Sequence, residues 1–209
     1  MSPLKYFVYI SDAKIEMLFA QIPKGLLSKI ATELKIDLKI LSATFKEKDP
    51  IETKYSKLKI VLEYLEEYCD IGTIENPKAY IKGTMPMHWG IFQQQTDLVV
   101  FGGKHNKTSI LLSGSAKHVL GNKCGTEQYE GGSISFRIVA LLKDKLKTPT
   151  EISCDYGILL YKIPGFVSDM AGPIEKFEFF ARRLFQEGDL NQENILVGTP
   201  LYVALSDES

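Results

Sequence analysis

Apolar and polar positions follow two rhythms along this chain, and each predicts a kind of element. Residues 5–10, Lys-Tyr-Phe-Val-Tyr-Ile, are dense in aromatic and β-branched side chains and predict a strand. Ser11 and Asp12 supply a helix N-cap signal, so a short helix is expected over 13–20. Pro23 interrupts. Over 24–35 the apolar residues Leu26, Leu27, Ile30, Ala31 and Leu34 recur at the helical period. Residues 36–45 alternate better than they repeat at 3.6 and predict a strand. The charged stretch 46–52 contains Pro50 and predicts a loop. Residues 54–70 carry the clearest helical stripe, Leu58, Val61, Leu62, Leu65 and Cys69, with Gly72 just beyond. Glu63, Glu66 and Glu67 form its solvated outer face.

Asn76-Pro77 opens a second region. Residues 79–92 predict two strand pieces bent at Pro86. Residues 98–101 predict a short strand, Gly102-Gly-Lys-His-Asn-Lys107 a hairpin turn, and 108–112 the returning partner. The apolar run then breaks at Ser113-Gly114-Ser115 and resumes over 116–120 as one or two helical turns before Gly121. Residues 122–132 are polar and Gly-rich, a loop. Over 133–142, Ile134, Phe136, Ile138, Ala140 and Leu142 stand at period two, but Val139 and Leu141 spoil the alternation, so strand and helix both stay open. A strand over 152–163 ends at Pro164-Gly165. Pro173 at a first helical position and the face Phe177, Phe180, Ala181, Leu184 predict a helix over 173–187, closed by Gly188. Residues 195–205 predict a final strand broken by Pro200. The irregular mixture of elements predicts one α+β domain over 1–209, with a mixed or mainly antiparallel sheet and a sub-boundary near 72–78.

Composition narrows the function classes. With 209 residues, 44% of them hydrophobic and 24% charged, the chain is long and apolar enough to bury a core. A net charge of −1 argues against a duplex-DNA binder working through a broad basic face. It leaves room for a small anionic ligand held by a local cluster of cations. Cys69, Cys124 and Cys154 are odd in number and form no CxxC pair, so no disulfide framework or thiolate zinc site is expected. No apolar run approaches the ~20 residues of a membrane span, and Met1-Ser-Pro-Leu-Lys lacks a signal-peptide layout. A cytoplasmic protein with no membrane partner is expected; a homodimer is compatible.

The stretch 110–121 holds the most varied chemistry. A strand, a Gly/Ser turn and a helix start would aim backbone N–H groups at one spot, where an anion accepts them. Ser113, Gly114, Ser115 and Lys117 would then hold phosphate, and His118 would be an acid/base suited to neutral pH. The plainer reading makes His118 a packing residue and Ser113-Gly-Ser115 an ordinary turn. Lys104 and His105 form a second phosphate rim or a solvated turn. Ser11 and Asp12, with Lys14, follow the first strand and line a site or merely cap a helix. His88 beside Trp89 reads as core before it reads as a base-stacking platform. The three histidines lie 17 and 13 residues apart, in no metal-binding spacing, so neither metal nor cofactor is called for. Ser113-Gly-Ser115 also lacks the frame of a serine-hydrolase elbow.

Tyr6-Phe-Val-Tyr-Ile-Ser-Asp-Ala-Lys14, the block from Phe101-Gly-Gly to Ser113-Gly-Ser-Ala-Lys-His-Val-Leu-Gly121, and Gly198-Thr-Pro-Leu-Tyr-Val-Ala204 together resemble a functionally uncharacterised family of bacterial proteins of about this length. A more distant analogy is to the ring nucleases of type III CRISPR defence. It rests on size, the lack of metal-ligand spacing and the phosphate-friendly stretch, with no signature motif shared. It implies a small cytoplasmic, commonly dimeric enzyme that cuts cyclic oligoadenylate without metal. The expected functions are therefore a metal-independent phosphodiesterase, a non-catalytic nucleotide sensor or sponge, and an interaction protein with no small ligand.

Overall fold

The computed structural model describes residues 4–38, 50–92, 97–122, 138, 140–142, 161–190 and 193–206. In chain order the elements are β1 (Tyr6–Ile10), α1 (Asp12–Phe19), α2 (Lys24–Glu33), α3 (Pro50–Tyr68), β2 (Ile71–Gly72), β3 (Tyr80–Phe92), β4 (Leu98–His105), β5 (Thr108–Ser115), a single 3-10 turn (Ala116–His118), α4 (Ile163–Ser168), β6 (Glu175–Leu190) and β7 (Glu193–Leu205). The fold is α+β, with a mixed seven-stranded sheet. Its contacts divide the chain into two compact units: Met1–Ile10 with Gly72–Ser209, and Ser11–Ile71.

The first unit is built on the sheet, in the order β1-β7-β5-β4-β3-β2. The long strand β6 pairs with both β3 and β7, so the pairings β7–β5–β4–β3–β6–β7 return to their start and close a ring. Among the strand pairs just named, β5 and β7 run parallel and the others antiparallel. Side chains at alternate positions fill the inside of the ring: Ile81, Met85 and Met87 of β3, Val99 and Phe101 of β4, Ile110 and Leu112 of β5, Phe177 and Phe179 of β6. A tightly curled sheet leaves some inward positions no room for a side chain. A Cβ on Gly103 would sit 2.5 Å from the Pro86 carbonyl, and one on Gly114 would sit 2.2 Å from Tyr9 Oη. The outer face of β4, β5 and β7 carries a second apolar cluster. Leu98, Val100, Leu111, Ile195 and Val197 pack there with Ile163, Phe166 and Val167 of α4 and with the helical residues Ile138, Leu141 and Leu142.

The second unit is helical. α1, α2 and α3 bury Ile15, Ile30, Ala31, Leu58, Val61 and Leu65. Ion pairs join Lys54 to Asp12 at 2.8 Å, Lys57 to Glu16 at 2.7 Å and Lys29 to Glu67 at 2.8 Å. Such exposed pairs contribute little, so the buried stripe holds the helices together.

Several expectations need correction. The helix expected over 173–187 is strand β6. Its aromatic run satisfies both periods, because Phe177, Phe180, Ala181 and Leu184 make a helical face while Phe177, Phe179 and Ala181 make a strand face. Pairing on both edges, to β3 and to β7, decides for the strand. The hairpin turn expected over 102–107 shrinks to Asn106-Lys107, since β4 runs on to His105. Pro50 opens helix α3 rather than a loop, as a proline at a first helical position does. Pro164 and Gly165 lie within α4 instead of ending a strand.

Neither Pro86 nor Pro200 breaks its strand. Pro86 stands just before β3 takes up β4 at His88. Pro200 stands between Gly198, the last partner of β5, and Tyr202, where the pairing of β7 with β1 begins. A change of neighbour is where a ladder best tolerates a missing N–H. Ile36 and Asp37 take no regular conformation and Leu38 is helical; the rest of the strand expected over 36–45 lies outside the described residues, as do 46–49, 123–137 and 152–160. Cys69 is half-buried just past α3, not within its buried stripe, and its thiol is free; Cys124 and Cys154 lie outside the described residues.

Candidate functional site

The expected anion turn is not a turn. Ser113, Gly114 and Ser115 continue β5 and pair with Val100, Val99 and Leu98 of β4. Ser115 keeps an extended backbone, with φ −74° and ψ 133°. Backbone N–H groups spent on a ladder are not fanned toward a ligand. Gly114 points inward against Tyr9, and Ser113 and Ser115 point to the opposite face.

That opposite face holds an unusual pair. Ser113 is 0% exposed and Thr199 is 5% exposed. Among the described residues neither Ser113 Oγ nor Thr199 Oγ1 has a hydrogen-bond partner. The last parallel pair of β5 and β7 is Leu112 with Gly198, so Ser113 and Thr199 come next on adjacent strands and face the same way. Their apolar surroundings include Val100, Leu111 and Val197. Farther along the same side of β5, half-buried Ser115 donates through Oγ to Asp97 Oδ2 at 3.3 Å. The Asp97 carbonyl accepts from Ala116 N at 3.0 Å, and Asp97 takes φ +43°.

The 3-10 turn Ala116–His118 clasps the end of β1. Val119 bridges to Tyr9, and Leu120 N donates to the Val8 carbonyl at 2.9 Å. His118 is 8% exposed, its ring edge-on to Tyr9 with centroids 6.1 Å apart. Lys117 is exposed.

Lys104 and His105 do not join this group. They lie at the other end of the β4–β5 hairpin, opposite Ser109 and Thr108. Strand rise alone puts Ser109 about 13 Å from Ser113. Lys104 is paired with Glu193, and His105 Nε2 lies 2.7 Å from Glu75 Oε1. The Glu75 carboxyl is held below its ordinary range, first by its own backbone N–H and to a lesser extent by Thr73 and His105. Half-buried His88 donates through Nδ1 to the Gly172 carbonyl at 3.0 Å, and Trp89 stacks on Phe101 with centroids 5.9 Å apart at the edge of the inner cluster, which favours the core reading of Trp89. Among the described residues no three His, Cys, Asp or Glu side chains are grouped to hold a metal.

In the helical unit, Ser11 is buried before α1 but makes no side-chain cap. Its carbonyl accepts from Ile15 N at 3.0 Å, and its Oγ accepts from Lys14 Nζ at 3.3 Å. Asp12 is exposed and paired with Lys54. Burial pushes the Lys14 amine down to about 8. The unfolded chain keeps that proton up to about 10.5. Between those values the unfolded state binds more protons, so stability should rise with pH across that window. Urea midpoints should increase between about pH 8 and pH 10.5, and Lys14→Met should remove most of the increase. An unchanged slope in the variant would assign the effect to other groups.

Sequence reasoning missed Thr199, Asp97 and Tyr9. Thr199 did leave a signal, as a hydroxyl within the apolar strand Ile-Leu-Val-Gly-Thr-Pro-Leu-Tyr-Val. No helix among the described residues is long and apolar enough to cross a membrane. No curated protein and no solved structure matches the chain. A family model does match, over residues 5–207, nearly the whole chain: the protein belongs to DUF7019, a family of unknown function.

Proposed function

We propose that this protein is a non-catalytic binding module that captures a small ligand of the nucleotide class where β5 and β7 run side by side. The carrying observation is the pair of buried hydroxyls on Ser113 and Thr199, which have no partner among the described residues. Buried polar groups in native folds are nearly always satisfied, so an orphaned pair facing one way points to a guest that supplies the missing bonds. Nucleotide chemistry is supported by the next polar groups along the chain: Ser115 with Asp97 on this face, then the exposed cation of Lys117 in the 3-10 turn that follows β5. A phosphodiesterase acting through His118 is the weaker reading. The phosphate grip it needs is missing, because Ser113, Gly114 and Ser115 are strand residues paired with β4, and the His118 ring lies edge-on to Tyr9. The net charge of −1 argues against duplex DNA as a partner, and three cysteines in no CxxC pair accord with a cytoplasmic setting.

The test incubates the full chain with labelled cyclic oligoadenylates and with linear adenylates in EDTA, followed by chromatography and equilibrium binding. Bound, chemically intact ligand is the expected result. Linear products that accumulate with time would replace capture with catalysis, and absence of both binding and cleavage would remove the nucleotide reading altogether.

A further inference from the structure

The polarity of the site says which end of such a ligand enters it. This inference rests on the capture reading above. We infer that Ser113 and Thr199 receive the neutral end of the ligand, a base or a ribose, and that its phosphate stays outside, near Lys117.

Burying an anion among Val100, Leu111 and Val197 costs heavily unless a cation or several donors meet it. Ser113 and Thr199 are neutral. Each offers one O–H donor and two acceptor lone pairs. Two such groups side by side suit a partner that both donates and accepts, such as a sugar hydroxyl or the edge of a base with an amine beside a ring nitrogen. The next polar group along β5 is the Asp97 carboxylate, held by Ser115 Oγ. It accepts bonds from ribose hydroxyls or an exocyclic amine and repels phosphate. The cation comes last, because Lys117 is exposed two residues beyond Ser115. The run from buried hydroxyl to half-buried carboxylate to exposed amine thus orders a nucleoside inward and a phosphate outward. The expected phosphate grip by Ser113, Gly114 and Ser115 would need the opposite order.

Calorimetry and thermal shift with three probe sets test this: the four ribonucleosides, their 5′-monophosphates, and inorganic phosphate. At least one nucleoside should bind without any phosphate, with little dependence on salt. Its monophosphate should bind more tightly, with the added affinity lost in Lys117→Ala or at high salt. Inorganic phosphate alone should produce no shift. Ser113→Ala with Thr199→Val should weaken the nucleoside about tenfold or more, since two hydrogen bonds are lost. Removing unsatisfied hydroxyls should leave the melting temperature unchanged or raised, and Ser113→Ala alone provides a milder variant with the same readout. If phosphate binds and no nucleoside does, the orientation is wrong while capture stands. If no probe binds and a crystal structure shows a single ordered water bridging the two hydroxyls, both readings fall, because water alone then satisfies the pair.

Discussion

Gly114→Ala should destabilise the protein by about 3 kcal/mol, at the upper end for forcing extra volume into a packed core. The new Cβ would lie 2.2 Å from Tyr9 Oη, 2.6 Å from Cζ and 3.1 Å from Cε2. Tyr9 is fully buried, edge-on to both Phe101 and His118, and therefore has little room to retreat. For a chain of this length the melting temperature should fall by about 6–12 °C. Tyr9→Phe removes the nearest atom but leaves Cζ in place, so the double variant should recover part of the loss. The result separates two reasons for having glycine here. A glycine that lets a ligand approach the backbone would, when replaced, lower affinity and leave the melting temperature alone. A glycine that seats Tyr9 does the reverse.

The same residue shows how far the sequence could be read. Ser113-Gly114-Ser115 has the composition of a turn, and turn chemistry is a local signal. What overrides it is non-local: β4 pairs along one side, β7 holds the strand on the other side up to Leu112, and Tyr9 arrives from the start of the chain. The hydroxyls on Ser113 and Ser115 were visible as candidate ligands, but their neighbour Thr199 lies 86 residues beyond Ser113 and could be matched to it only through the parallel register of β5 and β7.

Elements dominated by local periodicity read correctly. The helix predicted over 54–70 is α3, and the aromatic, β-branched run at the start is β1. β6 was misread because Phe177-Glu-Phe-Phe-Ala satisfies two periods at once, and only the ring of paired strands selects one. Proline misled in both directions. It opened α3 where a loop was expected, and it sits within β3 and β7 where a break was expected, since its cost depends on whether a neighbour needed its N–H.

Phe101→Ala should have the largest effect of any single change in the sheet unit, because Phe101 is where the inner cluster meets. Its ring is fully buried and stacks on Trp89 at 5.9 Å, while Tyr9 and Phe177 meet it edge-on at 6.2 Å and 5.6 Å. Truncating such a ring costs about 3–5 kcal/mol, and aromatic pair terms add to the lost area. Against a total stability of about 5–15 kcal/mol, much of the folded population is then at risk. Phe101→Leu keeps most of the volume and should cost well under half as much. The consequence should reach the binding face as well. Phe101 pairs with Leu112, and its neighbour Val100 pairs with Ser113, so a collapse inside the ring shifts the strand that backs the buried hydroxyls. Ligand affinity should therefore fall in Phe101→Ala and largely persist in Phe101→Leu, although neither side chain faces the ligand. Urea unfolding of the three proteins, with and without the nucleoside that binds, measures both effects. An alanine variant that melts within about 1 °C of the parent would mean that the ring of strands does not depend on its aromatic centre.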